Sequence, residues 1–183
     1  MRPSDEEAIS LHRKYGSNER VIEHCRTVAR VSAVLASGLE SKGRRVDTRA
    51  VAAAALLHDI GRTRSQTVSH GVEGASILQR EDVDPVIVEI VRRHVGAGIS
   101  SGEAKNLGLP DLDYVPKSLE ELIVCFSDKM VDGTMVRPFE AEVIRFRAKG
   151  HDVPRLEGLR KRVEEELGED PERFIFDKIK ASS

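Results

Sequence analysis

The sequence lacks tryptophan and contains only two tyrosines and five phenylalanines among its 183 residues. Its hydrophobic residues are therefore mainly Val, Ile, Leu and Ala, and stretches rich in alanine favour helix. A dominant charge is also missing, because 29 basic and 31 acidic residues give a formal net charge of −2. With no basic excess, the composition indicates no clear nucleic-acid-binding surface.

Cysteines and long apolar runs are equally scarce. Cys25 and Cys125 are far apart in the chain, and neither belongs to a close pair of the kind that marks zinc or redox sites. We expect two buried, reduced thiols. No apolar run approaches the roughly 20 residues that span a bilayer, and the N-terminal residues lack the apolar segment of a signal peptide. The sequence therefore predicts a cytoplasmic protein with no membrane partner.

Signals for helix dominate the rest of the sequence. Ser4 and Glu7 form a capping-box pattern that opens a first helix. The segment from about 19 to 41 repeats apolar residues every three or four positions, and the segment from about 49 to 60 is apolar nearly all round. We find no alternation typical of strands. Residues 96–117, rich in Gly, Ser, Pro and Asp, are predicted to form the longest loop, and loops of this length are often functional lids.

The length favours one domain with one hydrophobic core. We expect residues 1–183 to form a single all-α domain. Its motif-bearing core covers about 18–135, and its C-terminal helices cover about 138–180.

Four side chains lie where apolar helices should exclude them. His58 and Asp59 end the most apolar helix, and Asp128 ends another apolar run. Burying such groups is costly unless a partner satisfies them, and a metal ion binds both types of group strongly. His24 projects near the buried side of the long helix. A single histidine there is usually a core residue bonded to a backbone carbonyl, so for His24 alone both interpretations stay open.

The dipeptide of His58 and Asp59 occurs a second time in the chain. His151-Asp152 lies in a predicted turn between Gly150 and Pro154, with no apolar helix before it. We therefore expect that neither metal binding nor turnover depends on His151.

Taken in order, several motifs resemble the H…HD…D signature of the HD superfamily of metal-dependent phosphohydrolases. The matching motifs are His24 within Val21–Ala29, the run His58-Asp59-Ile60-Gly61, and Ser127-Asp128-Lys129. The His-Asp-Ile-Gly run is typical of the HDIG subtype. The resemblance covers about residues 5–135 and implies an HD-domain helical bundle of five or more core helices, with the metal site at its centre. It implies four ligands of one metal ion: His24, His58, Asp59 and Asp128.

A subset of the superfamily, the small di-metal HD hydrolases, has two further histidines that complete a second metal site, with the aspartate of the HD pair between the ions. His70 and His94 stand in the corresponding order, so we predict a two-metal site bridged by Asp59. The alternative is one ion, with both histidines bonded to the substrate. Mixed histidine and carboxylate ligands suit Fe, Mn, Co, Ni or Zn, and Mg less well. His94-Val95-Gly96 departs from the His-Thr-x-Gly stretch of the hydrolases of symmetrical dinucleoside tetraphosphates, so that substrate does not follow.

The resemblance implies a phosphatase or phosphodiesterase in which His58 and Asp59 are catalytic and metal-bound hydroxide attacks the phosphoester. We expect a small-molecule substrate, with a nucleotide favoured. Two alternatives stay open: a di-iron oxygenase of the HD type, and a regulatory module that binds a nucleotide without hydrolysing it. The sequence does not decide the substrate, the metal or whether a homodimer forms.

Cations are needed to neutralise the substrate phosphate. Arg62 and Arg64 follow the His-Asp-Ile-Gly run directly, and arginine is suited to bidentate contact with phosphate. Lys129 and Arg93 are second candidates. An ordinary solvated cation is the alternative for each of them.

Overall fold

The computed structural model describes residues 1–181 and confirms the all-α fold. The helices are α1 (Asp5–Lys14), α2 (Glu19–Ser41), α3 (Thr48–Leu57), α4 (His70–Arg80), α5 (Pro85–Arg93), α6 (Ser101–Asn106), α7 (Leu119–Lys129), α8 (Phe139–Ala148), α9 (Val153–Leu167) and α10 (Pro171–Ala181). A 3-10 helix (Ile60–Thr63) follows α3, and the antiparallel pair β1 (Val131–Asp132) and β2 (Met135–Val136) follows α7. Within residues 1–181, no helix combines the length and the apolar character needed to cross a bilayer.

Helix α3 lies at the centre of the bundle. It packs against α1, α2, α5 and α7, and seven of its ten residues are buried. Alanines make up half of the helix, and their small side chains let neighbouring helices approach on every side. The sequence predicts this central position from a helix that is apolar nearly all round.

The end of α3 differs from the prediction. The helix ends at Leu57 rather than near Ile60, and the 3-10 helix then turns the chain toward α4. Gly61 makes this turn possible: a Cβ atom there would lie 1.9 Å from the carbonyl oxygen of His70 and 2.4 Å from the amide nitrogen of Gly74. Because only glycine lacks that atom, the 3-10 helix can rest directly on the start of α4.

The predicted long loop, residues 96–117, contains a short helix. Ser100 accepts from the backbone amide of Glu103, and the Glu103 carboxylate accepts from the backbone amide of Ser100, so a complete capping box opens α6. The loop is therefore helical over part of its length. The two-residue strands are not predicted by the sequence either.

Gly150 and Gly168 separate the C-terminal helices. Both glycines have positive φ, of 68° and 77°. Helices α9 and α10 pack on α2, and α9 also packs on α7. Their apolar residues join the same continuous core as those of α1 to α5.

Replacing Gly61 with alanine should destabilise the fold, because the new methyl group overlaps backbone atoms that cannot rotate away. We expect a loss of about 1–3 kcal/mol, as for other overpacked sites, measured by chemical denaturation. Gly158→Ala in α9 is the matched control, since a Cβ atom there meets nothing within 4 Å. That substitution should raise the stability by roughly 0.5–1 kcal/mol, because alanine favours helix. Equal stabilities for Gly61→Ala and the wild type would contradict the close approach.

Candidate metal centre

The bundle brings six polar side chains from five helical regions to one place. They are His24 in α2, His58 and Asp59 after the end of α3, His70 at the start of α4, His94 directly after α5, and Asp128 in the last turn of α7. All six residues predicted to be metal ligands therefore lie together, although they are spread over most of the chain.

One half of the cluster is built around Asp128. Its Oδ1 atom lies 3.1 Å from Nε2 of His24 and 3.5 Å from Nε2 of His58. The side chains of His24 and Asp128 are each 16% exposed, whereas His58 is fully buried. This half therefore forms the side of the cluster that is open to solvent.

The other half is built around Asp59. Its Oδ1 atom lies 3.3 Å from Nε2 of His70 and 3.5 Å from Nε2 of His94. Its second oxygen, Oδ2, lies 3.7 Å from Nε2 of His58. Asp59 thus stands between the two halves, where a carboxylate shared by two cations would have to be.

Backbone carbonyls orient all four histidine rings. The Nδ1 atoms bond to Gly133 for His24 (2.9 Å), Ala55 for His58 (2.8 Å), Thr67 for His70 (2.6 Å) and Val91 for His94 (2.6 Å). A carbonyl can only accept, so Nδ1 carries the proton and Nε2 of each neutral ring keeps its lone pair. When the rings are neutral, their four lone pairs face the cluster; a proton on Nε2 of His24 would instead be donated to Oδ1 of Asp128.

Acceptors without donors at this centre fit a metal ion. Nε2 of His58 and Oδ1 of Asp59 are buried and have no hydrogen-bond partner within residues 1–181. Nε2 of His70 and Nε2 of His94 lie only 3.0 Å apart, although both present lone pairs when neutral. A cation between such groups removes the cost of burying them. Among residues 1–181, three sets of side chains each have their candidate ligand atoms within 4.8 Å of one another. The sets are His24, His58 and Asp59; His58, His94 and Asp128; and Asp59, His70 and His94.

Burial and local charge keep the inner half ready for a metal. Burial and the neighbouring His94 lower the pKa of His70 to about 3, and burial also lowers the pKa of His94. Burial opposes ionisation of Asp59, yet the histidines beside it hold its pKa well below the usual range. Two neutral imidazoles and one carboxylate are the protonation states that a metal requires.

The outer half attracts positive charge. Burial disfavours the protonated form of His24, but its hydrogen bond with Asp128 raises its pKa. Burial also opposes ionisation of Asp128, and Lys129 then holds the pKa of that carboxyl well below the usual range. Protons and metal ions therefore compete for this half, so acid should weaken metal binding.

Two of the four predicted phosphate-binding cations lie at the cluster. Nε of Arg62 donates to Oδ2 of Asp59 at 2.6 Å, and Nζ of Lys129 donates to Oδ2 of Asp128. Both side chains line an open cavity of about 330 Å³ beside the cluster. They are therefore placed to meet an anion that enters there.

The other two cations are engaged elsewhere. Arg64 lies 3.7 Å from the carboxylate of Glu73 and 5.8 Å from the centre of the Tyr15 ring. Arg93 donates to Glu121 at 2.6 Å. Neither residue lines the cavities that border the cluster.

The structure adds cations that the sequence motifs do not indicate. Arg20 and Arg145 line the same cavity as Arg62, and Arg145 pairs with Glu142 at 3.2 Å. Arg145 belongs to α8, outside the segment that resembles the HD superfamily. In the sequence, Arg145 is marked only by the basic residues that follow it at positions 147 and 149.

The chain belongs to the HD domain family, which matches residues 21–131. The predicted superfamily is therefore confirmed. The match covers α2 to α7 and β1, and contains all six clustered side chains.

Individual proteins similar to this chain carry different names. A tRNA (cytidine(56)-2′-O)-methyltransferase of Thermoplasma volcanium is 38% identical over 170 residues, which are 92% of this chain and 49% of that protein. The chain thus spans about half the length of this relative. An uncharacterized protein of Methanocaldococcus jannaschii is 44% identical over 129 residues, 70% of this chain and 76% of that one. Among solved structures, the HD domain of the L. monocytogenes phosphodiesterase PgpH is 17% identical, with a TM-score of 0.48, over 82% of this chain and 92% of that one.

The two halves of the cluster predict two metal ions per chain after reconstitution with excess Mn²⁺, counted by elemental analysis. Asp59→Ala should lose both ions, because the shared carboxylate is removed, and His70→Ala should lose one. His151→Ala is the control and should keep both, since His151 is exposed and lies outside the cluster. One ion in the wild type, retained by His70→Ala, would show a single-metal site.

Proposed function

We propose that the protein is a metal-dependent phosphohydrolase that cleaves a phosphoester of a nucleotide or a related small molecule. The observation that carries the proposal is the position of Asp59. It joins two sets of metal-ligand atoms at the floor of an open cavity whose wall holds Arg62 and Lys129. Metal ligands next to cations suit an anionic substrate better than a neutral one.

The ligand atoms divide between two metal ions. His24, His58 and Asp128 would hold one ion, and His70 and His94 would hold the other, with Asp59 shared by both. Bound divalent metals lower the pKa of a water molecule and withdraw charge from phosphoryl oxygens. The donor set of nitrogen and oxygen suits Fe, Mn, Co, Ni or Zn.

The chain's own cations complete the site. Asp59 holds Arg62 through Nε, so the two terminal nitrogens of the guanidinium remain for a phosphate. Burial disfavours the charged form of Lys129, but Asp128 raises its pKa, so the ammonium stays protonated. Both groups can therefore neutralise negative charge that develops on the phosphoryl group.

A phosphate group at the end of an RNA is a second substrate class. The cavity is open to solvent beside His24, and Arg20 and Arg145 extend its positive wall. The relative from Thermoplasma volcanium is named for a reaction on tRNA. An RNA end would present the same phosphoester chemistry to Asp59 and Arg62.

The proposal is tested by a substrate screen with protein reconstituted separately with Mn, Fe, Co, Ni and Mg. Nucleotides, simple phosphomonoesters, phosphodiesters and short RNAs with terminal phosphates are the substrates. We expect hydrolysis with at least one transition metal, equal with and without oxygen. It would be seen as free phosphate from a phosphomonoester, or as an alcohol and a phosphomonoester from a phosphodiester. Turnover that requires iron and oxygen would overturn the proposal in favour of a di-iron oxygenase. Nucleotide binding without any hydrolysis would overturn it in favour of a regulatory module.

Arg62 and Arg64 should differ sharply in their effect on activity. Arg62→Ala removes a guanidinium at the cavity wall, so kcat/KM should fall 10- to 100-fold, which is about 1.4–2.7 kcal/mol of transition-state stabilisation. Arg62→Lys should restore part of this loss. Arg64→Ala should stay within twofold of the wild type, because its side chain points to Glu73 and Tyr15. Equal losses in the two alanine variants would contradict the assignment of Arg62.

A further inference from the structure

A second cavity, of about 340 Å³, lies outside the metal centre. One wall is the segment 95–99 with α6, and the facing wall is the end of α8 with the start of α9. Val95, Ile99 and Phe146 give it apolar surfaces, and Asn106 and His151 add polar groups. The volume falls within the range of roughly 300–1,000 Å³ that is usual for small-molecule sites.

The second cavity and the cavity beside the metal centre each share lining residues with a space that lies between them. This space, of about 440 Å³, is bordered by His70 and Arg62 on one side and by Phe146 and His151 on the other. Arg145 and Lys149 also line that space. Four basic residues and one carboxylate, that of Glu142, line this passage between the candidate metal centre and the apolar cavity, so its net charge is positive.

Arg155 fixes the shape of the cavity. Its guanidinium donates to the carbonyl of Gly98 at 3.1 Å and to the carboxylate of Glu103 at 2.5 Å. It also pairs with Asp152 at 3.2 Å. The hydrogen bond from Arg155 lowers the pKa of Glu103 to about 2, so the pair stays ionised at neutral pH. The start of α9 is thus tied to the segment that forms the opposite wall.

We propose that this cavity binds the nucleoside part of a nucleotide whose phosphate lies at the metal centre. The inference rests on the proposed function for the position of the phosphate. A nucleobase has apolar faces and hydrogen-bonding edges, which match a cavity with Phe146 in its wall and polar groups around it. Asn106 and His151 offer polar contacts to the edges of a nucleobase that a purely aliphatic group would not use. The cations that line the passage complement the negative charge of the nucleotide's phosphate.

His151 gains a role that its sequence context does not indicate. Its ring lies edge-on to Phe146, with centroids 5.3 Å apart and planes at 76°. It borders both the passage and the apolar cavity. The proposal and the expectation that turnover is independent of His151 differ in what they predict for His151→Ala: metal content should not change under either, but under the proposal nucleotide recognition should fall.

The test is equilibrium binding to the Mn²⁺-loaded wild-type protein, measured by calorimetry. The ligands are 5′-phosphonate analogues of the four ribonucleosides, in which a carbon–phosphorus bond cannot be hydrolysed. Ribose 5-phosphonate, phenyl phosphonate and a trinucleotide ending in a nucleoside phosphonate complete the set. We expect at least one nucleoside phosphonate to bind tenfold or more tightly than ribose 5-phosphonate and phenyl phosphonate. Tighter binding of the trinucleotide would identify an RNA end as the source of the nucleoside, and weaker binding a free nucleotide.

The variants locate the binding. Phe146→Ala and His151→Ala should remove most of the preference for the nucleoside, whereas Ile144→Ala should keep it, because Ile144 is 58% exposed on α8 and lines neither cavity. His151 is exposed, so its variant tests the site even if Phe146→Ala does not fold. Equal binding of nucleoside, ribose and phenyl phosphonates, or an unchanged preference in His151→Ala, would overturn the proposal. The binding measurement does not depend on turnover. Selective binding by a protein that hydrolyses no phosphoester would therefore disprove the proposed hydrolase and leave the nucleoside cavity standing.

Discussion

The cost of burying acceptors without donors is the constraint on which the site depends. Nε2 of His58 and Oδ1 of Asp59 are held away from water and receive no hydrogen bond from the protein. In an apolar interior each such group costs free energy comparable to a lost hydrogen bond or more. Both groups lie at the end of α3, and His70, His94 and Asp128 place further acceptors around them. The donors at the site, Arg62 and Lys129, bind the other oxygens, Oδ2 of Asp59 and Oδ2 of Asp128. A bound cation would explain why these buried acceptors have no donors.

The fold and the site were predictable from the sequence to different degrees. The start of α1 after Ser4 followed from a capping box, since this is a local hydrogen-bond pattern between neighbouring residues. Ser100 and Glu103 carry the same pattern, but they lie in a segment rich in glycine and proline, and that composition hid α6. The end of α3 could not be predicted, because the contact between Gly61 and His70 involves the packing of α4 and leaves no periodic signal.

The same distinction applies to the side chains of the site. The six clustered residues were predicted because the motifs of the HD domain family mark them, and the structure places them together. The roles of Arg62 and Arg64 were not separable in the sequence, since both follow the same run. Only the turn of the 3-10 helix sends Arg62 to Asp59 and Arg64 to Glu73. The positions of Phe146 and His151 in the wall of the second cavity were not predictable for a related reason: they reach it only because α9 folds back onto the segment 95–99.

The backbone carbonyls that orient the four histidine rings lie at different distances along the chain from the histidines they bind. His58, His70 and His94 each bond to the carbonyl of the residue three positions earlier, so their orientation is set as soon as that local turn forms. His24 instead bonds to Gly133, in the hairpin between β1 and β2 on the far side of the sequence. The ring of His24 is therefore a mechanical link between α2 and the hairpin. A change that orders the hairpin should therefore also orient the His24 ring. Conversely, a cation bound by His24 should stabilise the hairpin.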